Sequence, residues 1–244
     1  MAAAWRTWVA VGLGCFLFGG VVPPVLAADY KMSTLEWAPY TGAALPRQGF
    51  VSATIADALK ATGYSVEMQF FPWSRAVRLV DSDASYIGFF PAYYSRERAS
   101  RYLFSEPIGR STMVFLERAD KPVKWAKYDD LQGHRIGVVR GFVNTEELDA
   151  RIAKKKLIAE EVPDDRSNIL KLAAGRVDLV VIDSYVYQHL VQTDPQVARV
   201  ATQLQVNPKV LDVKNLYVCF QRTVAAQIAL RALNTGLRKV RPAM

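Results

Sequence analysis

Apolar and polar residues alternate along the chain with two different periods. Stretches of about four to eight residues that alternate every second position, or are continuously apolar, predict strands, whereas apolar residues spaced three or four apart predict helices. Strands are expected over residues 30–35, 66–70, 86–90, 110–116, 135–139, 157–162, 177–182 and 215–220. Helices are expected over residues 50–61, 73–80, 145–153, 169–174, 185–191 and 224–237. This alternation predicts a layered α/β fold whose strands are largely parallel.

The alternation of strands and helices restarts near the middle of the chain, after a turn at residues 129–133. Lys121-Pro122 and Asn207-Pro208 are candidate boundaries, because proline interrupts regular structure. Two α/β units imply a cleft between them. Ligands bind at domain interfaces and, in parallel sheets, beyond the carboxyl ends of the strands. Residues that follow a strand are therefore the candidates for a binding site.

The first 27 residues have the pattern of an export signal. Arg6 supplies a positive charge, residues 8–22 form an apolar run, and Val25-Leu26-Ala27 fits the small-x-small pattern of a cleavage site. A membrane span needs about 20 apolar residues, so the run is short for one, and an uncleaved anchor is the alternative. We expect residues 1–27 to be removed and the mature protein to reside in the periplasm.

Charge and cysteine content bear on two questions: whether the protein binds nucleic acid, and whether it contains a reactive thiol. The full chain of 244 residues has a formal net charge of +8, and removal of the signal leaves 30 basic and 23 acidic residues. The basic residues are scattered, and the one dense run, 154–156, reads as an exposed helix end, so we expect no nucleic-acid partner. Cys15 leaves with the signal, and Cys219 lies in an apolar strand where a packed thiol is the simplest interpretation.

Arg98 follows the strand predicted over residues 86–90 and comes after a loop of aromatic and small residues. An arginine presents a planar fork that can hold a carboxylate at two points. The alternative is a surface arginine that pairs with Glu97 or Glu106.

Asp183 ends the apolar run 179–182, which is typical of a central strand. A carboxylate at this place could hold an ammonium group. The alternative role is the N-cap of the helix that follows, because aspartate is a favoured cap. Both roles are compatible with each other.

Aromatic residues cluster in the predicted loops, where their faces can contact apolar groups, planar rings and cations. Trp37 and Tyr40 flank Pro39, which interrupts regular structure, and this raises the prospect of a binding role. Trp73 opens a helix, where packing and ligand contact are equally good explanations. Tyr93 follows the same strand as Arg98.

The sequence motifs that mark enzymatic and metal sites are mostly absent from this sequence. His134 and His189 have no ligand partner at metal-binding spacing, and neither a nucleophile elbow nor a phosphate loop occurs. No cofactor is therefore expected. The acidic pairs at 146–147, 160–161 and 164–165 are interpreted as solvated helix and loop charges.

Several motifs, taken in order and spacing over nearly all of the mature chain, resemble the extracellular solute-binding proteins of family 3, the periplasmic receptors of polar amino-acid ABC importers. They are Trp37-Ala38-Pro39-Tyr40, Phe71-Pro72-Trp73-Ser74-Arg75-Ala76, Ser95-x-x-Arg98, Phe104-Ser105-x-Pro107, Leu131-x-Gly133, Ile136-Gly137 and Gly175-Arg176-Val177-Asp178. The resemblance implies a two-lobed, type II periplasmic-binding-protein fold with a ligand cleft. It further implies one lobe made of residues 28–119 and 210–244, and a second made of residues 120–209.

The resemblance also implies roles for the candidate residues. Arg98 matches the arginine that grips the ligand carboxylate, and Asp183 matches the carboxylate that holds the ligand ammonium. Trp37 matches an aromatic lid, and Trp73 lines the same wall. Asn144 falls in the loop of the second lobe that contacts the ligand carboxylate.

The chain departs from the family pattern at several places. Phe142 stands where threonine is frequent, and residues 49–53 lack both aspartates of the usual Gly-Phe-Asp-x-Asp motif. The aspartate that normally opens the strand before the arginine loop is replaced near Ser85. These departures leave open a ligand that is a larger or more aromatic anion than a standard amino acid.

The resulting expectation is a periplasmic solute-binding protein that captures a small polar or zwitterionic, amino-acid-like ligand by hinge closure. It would deliver that ligand to an ABC permease in the inner membrane, act as a monomer and catalyse no reaction. One alternative is an enzyme on the same scaffold, similar to cyclohexadienyl dehydratases, with Glu36 as the glutamate near the pocket mouth. Another is a sensory binding module without a transporter.

Overall fold

The computed structural model describes Met1 and residues 29–240. Apart from Met1, the predicted signal peptide, residues 1–27, lies outside the described residues. No helix within the described part of the chain is long and apolar enough to cross a membrane.

Residues 29–240 contain nine strands and eight α-helices. The strands are β1 (Tyr30–Thr34), β2 (Val66–Phe70), β3 (Tyr86–Ala92), β4 (Leu103–Phe104), β5 (Gly109–Arg118), β6 (Arg135–Val139), β7 (Ile158–Val162), β8 (Leu179–Asp183) and β9 (Leu204–Phe220). The helices are α1 (Phe50–Lys60), α2 (Trp73–Ser82), α3 (Arg96–Arg101), α4 (Glu146–Ala153), α5 (Asp165–Ala173), α6 (Ser184–Thr193), α7 (Pro195–Val200) and α8 (Val224–Val240).

The strands form one curled sheet in the order β2-β1-β3-β9-β5-β8-β6-β7, and β4 pairs with β9. Strands β1, β2 and β3 are parallel to one another and form the first lobe, and β6, β7 and β8 are parallel and form the second. Strands β5 and β9 run antiparallel to each other, with Gly109 opposite Leu216 and Arg118 opposite Leu204. These two long strands connect the lobes. The expected parallel order therefore holds among β1, β2 and β3 and among β6, β7 and β8. It is corrected by antiparallel pairing of β9 with β3, β4 and β5, and of β5 with β8.

Strand β9 was predicted too short. It begins at Leu204 instead of residue 215, so the candidate boundary Asn207-Pro208 lies inside it. The pairing with β5 is irregular around this point, between Val114 and Leu116. A proline cannot donate to a strand ladder, so it is tolerated where such an irregularity interrupts the pairing.

Helix α5 also begins earlier than predicted, at Asp165 instead of residue 169. The short elements α3, α7 and β4 were not predicted, because their few residues carry no complete period. Helix α1 agrees closely with its prediction, and its apolar face is fully buried. This face packs beside α8, where Gly236 passes so close to Ala58 that a Cβ at this position would lie 1.8 Å from the Ala58 carbonyl oxygen.

Candidate functional site

The cleft between the lobes is lined by residues that follow the carboxyl ends of strands. Trp37 follows β1 and Tyr93 follows β3 in the first lobe, whereas Phe142 follows β6 and Asp183 ends β8 in the second. This placement agrees with the rule that ligands bind beyond the carboxyl ends of parallel strands.

An aromatic cluster fills much of the cleft. The Trp37 ring stacks on the Tyr40 ring at 4.4 Å with an interplanar angle of 18°, and it meets Tyr93 edge-on at 6.2 Å. From the second lobe, the Phe142 ring lies 6.3 Å from Trp37 and 6.1 Å from Trp73, nearly perpendicular to both. Edge-to-face packing of this kind is favourable for aromatic pairs. The Phe142 ring therefore fills the space between the lobes and packs against the aromatic residues of the first lobe.

Arg98 lies in the cleft and makes no ion pair with a described carboxylate. Its Nη1 donates to the Tyr93 carbonyl at 3.1 Å, and its Nη2 donates to the Gly141 carbonyl at 3.2 Å. The guanidinium carbon lies 5.3 Å from the centre of the Trp73 ring. Burial lowers the pKa of Arg98 from its ordinary value. Glu106, one of the expected surface partners, pairs with Arg238 instead.

Gly141 brings the two lobes into direct contact. Its carbonyl accepts from Trp73 Nε1 at 2.9 Å as well as from Arg98. The backbone at Gly141 has a φ of +76°, a conformation that glycine adopts without strain. The turn after β6 thus presents one carbonyl to two side chains of the first lobe.

Asp183 is buried, with 4% of its surface exposed. Its Oδ1 accepts from the backbone N–H groups of Tyr185 and Val186 at 2.8 and 3.0 Å, which confirms the predicted N-cap. Its Oδ2 accepts from the Tyr40 hydroxyl at 2.9 Å and from the Ser111 hydroxyl at 2.5 Å. Burial raises the pKa of Asp183, and these hydrogen bonds oppose the increase. The carboxylate is held by donors from both lobes.

Asn144 lies in the loop before α4 and is buried. Its side-chain Nδ2 donates to Asp149 Oδ1 at 2.7 Å, and its backbone N–H donates to Asp149 Oδ2 at 2.9 Å. Asn144 thus borders the cleft, and its amide nitrogen already has a protein partner.

Asp165 was missed by the sequence interpretation, which treated residues 164–165 as solvated charges. Asp164 is exposed, but Asp165 is only 8% exposed and accepts a hydrogen bond from Trp37 Nε1 at 3.2 Å. Burial raises the pKa of Asp165 to about 7, and the nearby Asp183 contributes in the same direction. Its position after β7, at the same sheet edge as the other site residues, is the sequence signal that could have identified it.

Two small cavities and two grooves border these side chains. A cavity of about 20 Å³ is lined by Trp73, Arg98 and Phe142, and one of about 10 Å³ is lined by Asn144, Asp165 and Asp183. Each is about large enough for one water molecule. A groove of about 510 Å³ lies between the lobes beside Trp37 and Asp165, and another of about 470 Å³ is lined by Arg98, Gly141 and Asp149. A ligand larger than water therefore requires one of these grooves or a rearrangement of the lobes around Phe142.

Two other chemistry-bearing residues are Glu36, which lines the groove beside Trp37, and Cys219, which lies in β9. Glu36 is exposed, and its carboxylate accepts from the Ala43 backbone N–H at 3.1 Å. Cys219 is buried, which raises the pKa of its thiol to about 12 and agrees with the packed thiol that was expected. Within residues 29–240, no group of three or more His, Cys, Asp and Glu side chains could hold a metal ion.

Known structures resemble this fold at low sequence identity. No protein-family model and no curated protein sequence matches the chain. A histidine kinase sensor domain with similarity to periplasmic binding proteins superposes with a TM-score of 0.72 and 19% identity, covering 86% of this chain and 90% of its own. The arginine-bound Gly52Ala mutant of ArgBP from T. maritima gives 0.69 and 18%, covering 87% and 96%. The GluR0 ligand-binding core from Nostoc punctiforme, in complex with L-glutamate, gives 0.67 and 14%, covering 86% and 92%.

These similarities establish the fold. The chain has the two-lobed architecture of periplasmic binding proteins, with a ligand cleft between the lobes. The expected fold class is thereby confirmed.

Proposed function

We propose that this protein captures a small polar or zwitterionic, amino-acid-like ligand in the periplasm by closing its two lobes, and delivers it to an ABC permease in the inner membrane. It acts as a monomer and performs no chemistry on the ligand. The observation that carries this proposal is Arg98, a cation inside the cleft whose hydrogen bonds go to neutral carbonyls of both lobes.

A ligand carboxylate is a better partner for Arg98 than these carbonyls. A carboxylate adds the attraction between opposite charges to the hydrogen bonds, and the arginine fork can hold it at two points. Trp73 and Phe142 leave room for about one water molecule in the neighbouring cavity, and a contact with little water around it is stronger than one in bulk water. The similar structures of ArgBP and the GluR0 core, bound to arginine and L-glutamate respectively, support a ligand of this type.

Asp183 is the proposed partner of the ligand ammonium. Two of its four hydrogen bonds come from the hydroxyls of Tyr40 and Ser111. A hydroxyl oxygen also accepts hydrogen bonds, so Tyr40 and Ser111 can accept from an ammonium group that binds Asp183 Oδ2. Trp37 and Tyr93 complete the walls of this part of the cleft, and Asn144 closes it from the second lobe.

Hinge closure is supported by contacts that join the lobes. Trp37 bonds Asp165, Tyr40 bonds Asp183, and Trp73 and Arg98 share the Gly141 carbonyl. Strands β5 and β9 are the two connections about which such a motion would take place. A ligand favours closure only to the extent that it binds the closed form more tightly than the open one.

The test of this proposal is ligand binding by an Arg98→Ala variant. A ligand at 100 times its dissociation constant stabilises the wild type by about 2.7 kcal/mol, which a thermal-shift screen of amino acids and related compounds detects. Arg98→Ala should abolish that shift. Arg231→Ala is the control, because Arg231 is exposed on helix α8 and lines neither the cleft nor its grooves. Equal ligand affinity in both variants, measured by calorimetry, would refute the role of Arg98.

The permease partnership has its own test. Deletion of the gene should abolish uptake of the radiolabelled ligand by cells, and a plasmid copy should restore it. Unchanged uptake, together with confirmed binding, would favour the sensory alternative, for which the similarity to a histidine kinase sensor domain is the supporting observation.

An enzyme on the same scaffold is the second candidate, and Asp165 favours it. A general acid needs a pKa near the working pH, and burial raises the pKa of this cleft carboxyl to about 7. Glu36, the acid considered first, is exposed and fits this role less well. Turnover of prephenate or arogenate that is lost in Asp165→Asn would establish the enzyme, and its absence at high protein concentration would exclude that reaction.

A further inference from the structure

The groove of about 510 Å³ lies between the lobes and is large enough for a small organic molecule. The rings of Trp37, Trp73 and Phe142 line both this groove and the small cavity beside Arg98. One ligand could therefore reach from Arg98 into the groove if Phe142 moves aside. What the groove recognises follows from its charges and its surfaces.

The charged lining of the groove is predominantly acidic. Glu36, Asp164 and Asp165 contribute carboxylates. Arg166 is the one basic residue that lines it within the described part of the chain, and its Nε lies 2.6 Å from Asp194 Oδ2. The positive charge of Arg166 is thus already compensated, although the protein as a whole is basic.

Asp165 has one carboxylate oxygen without a partner. Its Oδ2 accepts from Trp37 Nε1, whereas its Oδ1 accepts no hydrogen bond from any residue in the range 29–240. Helix capping does not require Asp165, because Asp164 already caps α5 by accepting from the Ser167 backbone N–H at 2.7 Å. The side chain is more than nine-tenths buried and borders both the groove and the cavity beside Asp183. A buried carboxylate is costly unless it is protonated or paired, and a cation at Oδ1 would supply the pairing.

The aromatic surfaces beside Asp165 suit the same partner. Trp37, Trp73 and Phe142 line the groove, and the faces of aromatic rings attract ammonium and guanidinium groups. Such an attraction is strongest where water is excluded. An anion at this place would meet acidic groups and the negative faces of the rings.

We propose that the groove binds the cationic group of the ligand, an ammonium or guanidinium held by Asp165 Oδ1 against Trp37, so that the captured ligand carries a net positive charge. This inference rests on the proposed function and specifies the class of its ligand. It replaces the aromatic anion that the departures from the family pattern left open.

The cationic group could belong to an amino acid or to an amine without a carboxylate, and the choice of probes distinguishes these two kinds of ligand. A cationic amino acid retains a carboxylate for Arg98, whereas an amine without a carboxylate does not. L-arginine and agmatine differ in this one group, and L-glutamine and L-glutamate serve as neutral and acidic comparisons. Binding of each probe is measured by isothermal titration calorimetry on the purified mature protein.

The informative variant is Asp165→Asn. Asparagine keeps an oxygen that can accept from Trp37 Nε1, so the contact between the lobes is preserved while the charge is removed. We expect this variant to bind L-arginine and agmatine roughly 10- to 100-fold more weakly, the range that a hydrogen bond to a charged group contributes. Asp120→Asn is the matched control, because it removes the same charge from an exposed residue paired with Arg118. It should leave all four affinities unchanged.

The pH dependence gives a second readout that a purely structural role of Asp165 would not produce. Since its pKa is about 7, binding of a cation at lower pH must release a proton from Asp165, so wild-type affinity should rise from about pH 5 to about pH 8. Asp183 in the same lobe, Tyr93 across the cleft, and Glu36, Asp164 and Arg166 around the groove are unchanged in Asp165→Asn. The pH dependence should therefore be much smaller in that variant.

The outcomes separate this inference from the proposed function. If the wild type binds L-glutamine or L-glutamate at least as tightly as L-arginine, and Asp165→Asn changes nothing, the cationic ligand is wrong and the capture of a ligand stands. If agmatine binds as well as L-arginine, and Arg98→Ala affects neither, the ligand is an amine and the role of Arg98 in the proposed function is wrong. If the wild type binds none of the four probes, the cationic ligand is rejected, and the proposed function then depends on the thermal-shift screen; a screen without any stabilising compound rejects that function as well.

Discussion

The buried carboxyl of Asp165 should make the stability of this protein decrease as the pH rises from about 4 to about 7. In the folded protein its pKa is raised to about 7, whereas the ordinary value is 3.8. Over this range the folded state retains a proton on Asp165 that the unfolded state releases. The free energy of unfolding therefore decreases as the pH rises through this range.

The magnitude follows from the difference between the two pKa values. Each unit of pKa difference corresponds to about 1.4 kcal/mol, so ionisation of Asp165 should cost on the order of 4 kcal/mol by pH 7. Asp165→Asn carries no titrating group at this position. The free energy of unfolding of the variant, relative to the wild type, should consequently increase by that amount between about pH 4 and pH 7, and remain constant above pH 7.

The assay is urea unfolding followed by tryptophan fluorescence at several pH values, with the denaturant slope checked for constancy. Asp178→Asn provides a control of opposite sign. Burial alone would raise the pKa of Asp178, but the Arg135 N–H and the side chains of Lys121 and Arg135 lower it overall. That variant should lose stability relative to the wild type as the pH rises from below the ordinary aspartate pKa. The opposite result is that the variant and the wild type differ in their free energy of unfolding by the same amount at every pH from 4 to 8. That result would show that Asp165 ionises normally and is not desolvated.

Three further predictions concern packing and reactivity. Tyr40→Phe removes the hydroxyl that donates to Asp183 at 2.9 Å and should lower the free energy of unfolding by about 1–2 kcal/mol in urea titrations; an unchanged midpoint would contradict the bond. Gly236→Ala places a methyl group 1.8 Å from the Ala58 carbonyl oxygen and should destabilise the protein by about 1–3 kcal/mol or more, which a wild-type melting temperature would disprove. Cys219 should resist a thiol reagent in the native protein at pH 8 and react at once in urea, because it is fully buried and its pKa is about 12; rapid native labelling would refute its burial.

Much of the candidate site could be placed from sequence because its residues follow strands that local patterns identify. Trp37, Tyr93 and Asp183 lie at the carboxyl ends of their strands, as expected, and Arg98 follows in the next short helix. What each side chain touches could not be read in the same way. The partners of Arg98 are backbone carbonyls. Because every residue has a backbone carbonyl, no residue type in the sequence could indicate these partners.

The sequence by itself determined the features that depend on neighbouring residues. The apolar face of helix α1 and the N-cap role of Asp183 are set within one or two turns, where periodicity and capping chemistry act. The tertiary structure decided the extent of β9 and the burial of Asp165. Much of β9 is half-exposed, and its length is set by pairing with β5, whereas Asp165 meets Trp37 across 128 positions of the chain. Contacts of this range arise only when the two lobes come together, so a helix-terminal aspartate that looks solvated in the sequence becomes a buried acid in the cleft.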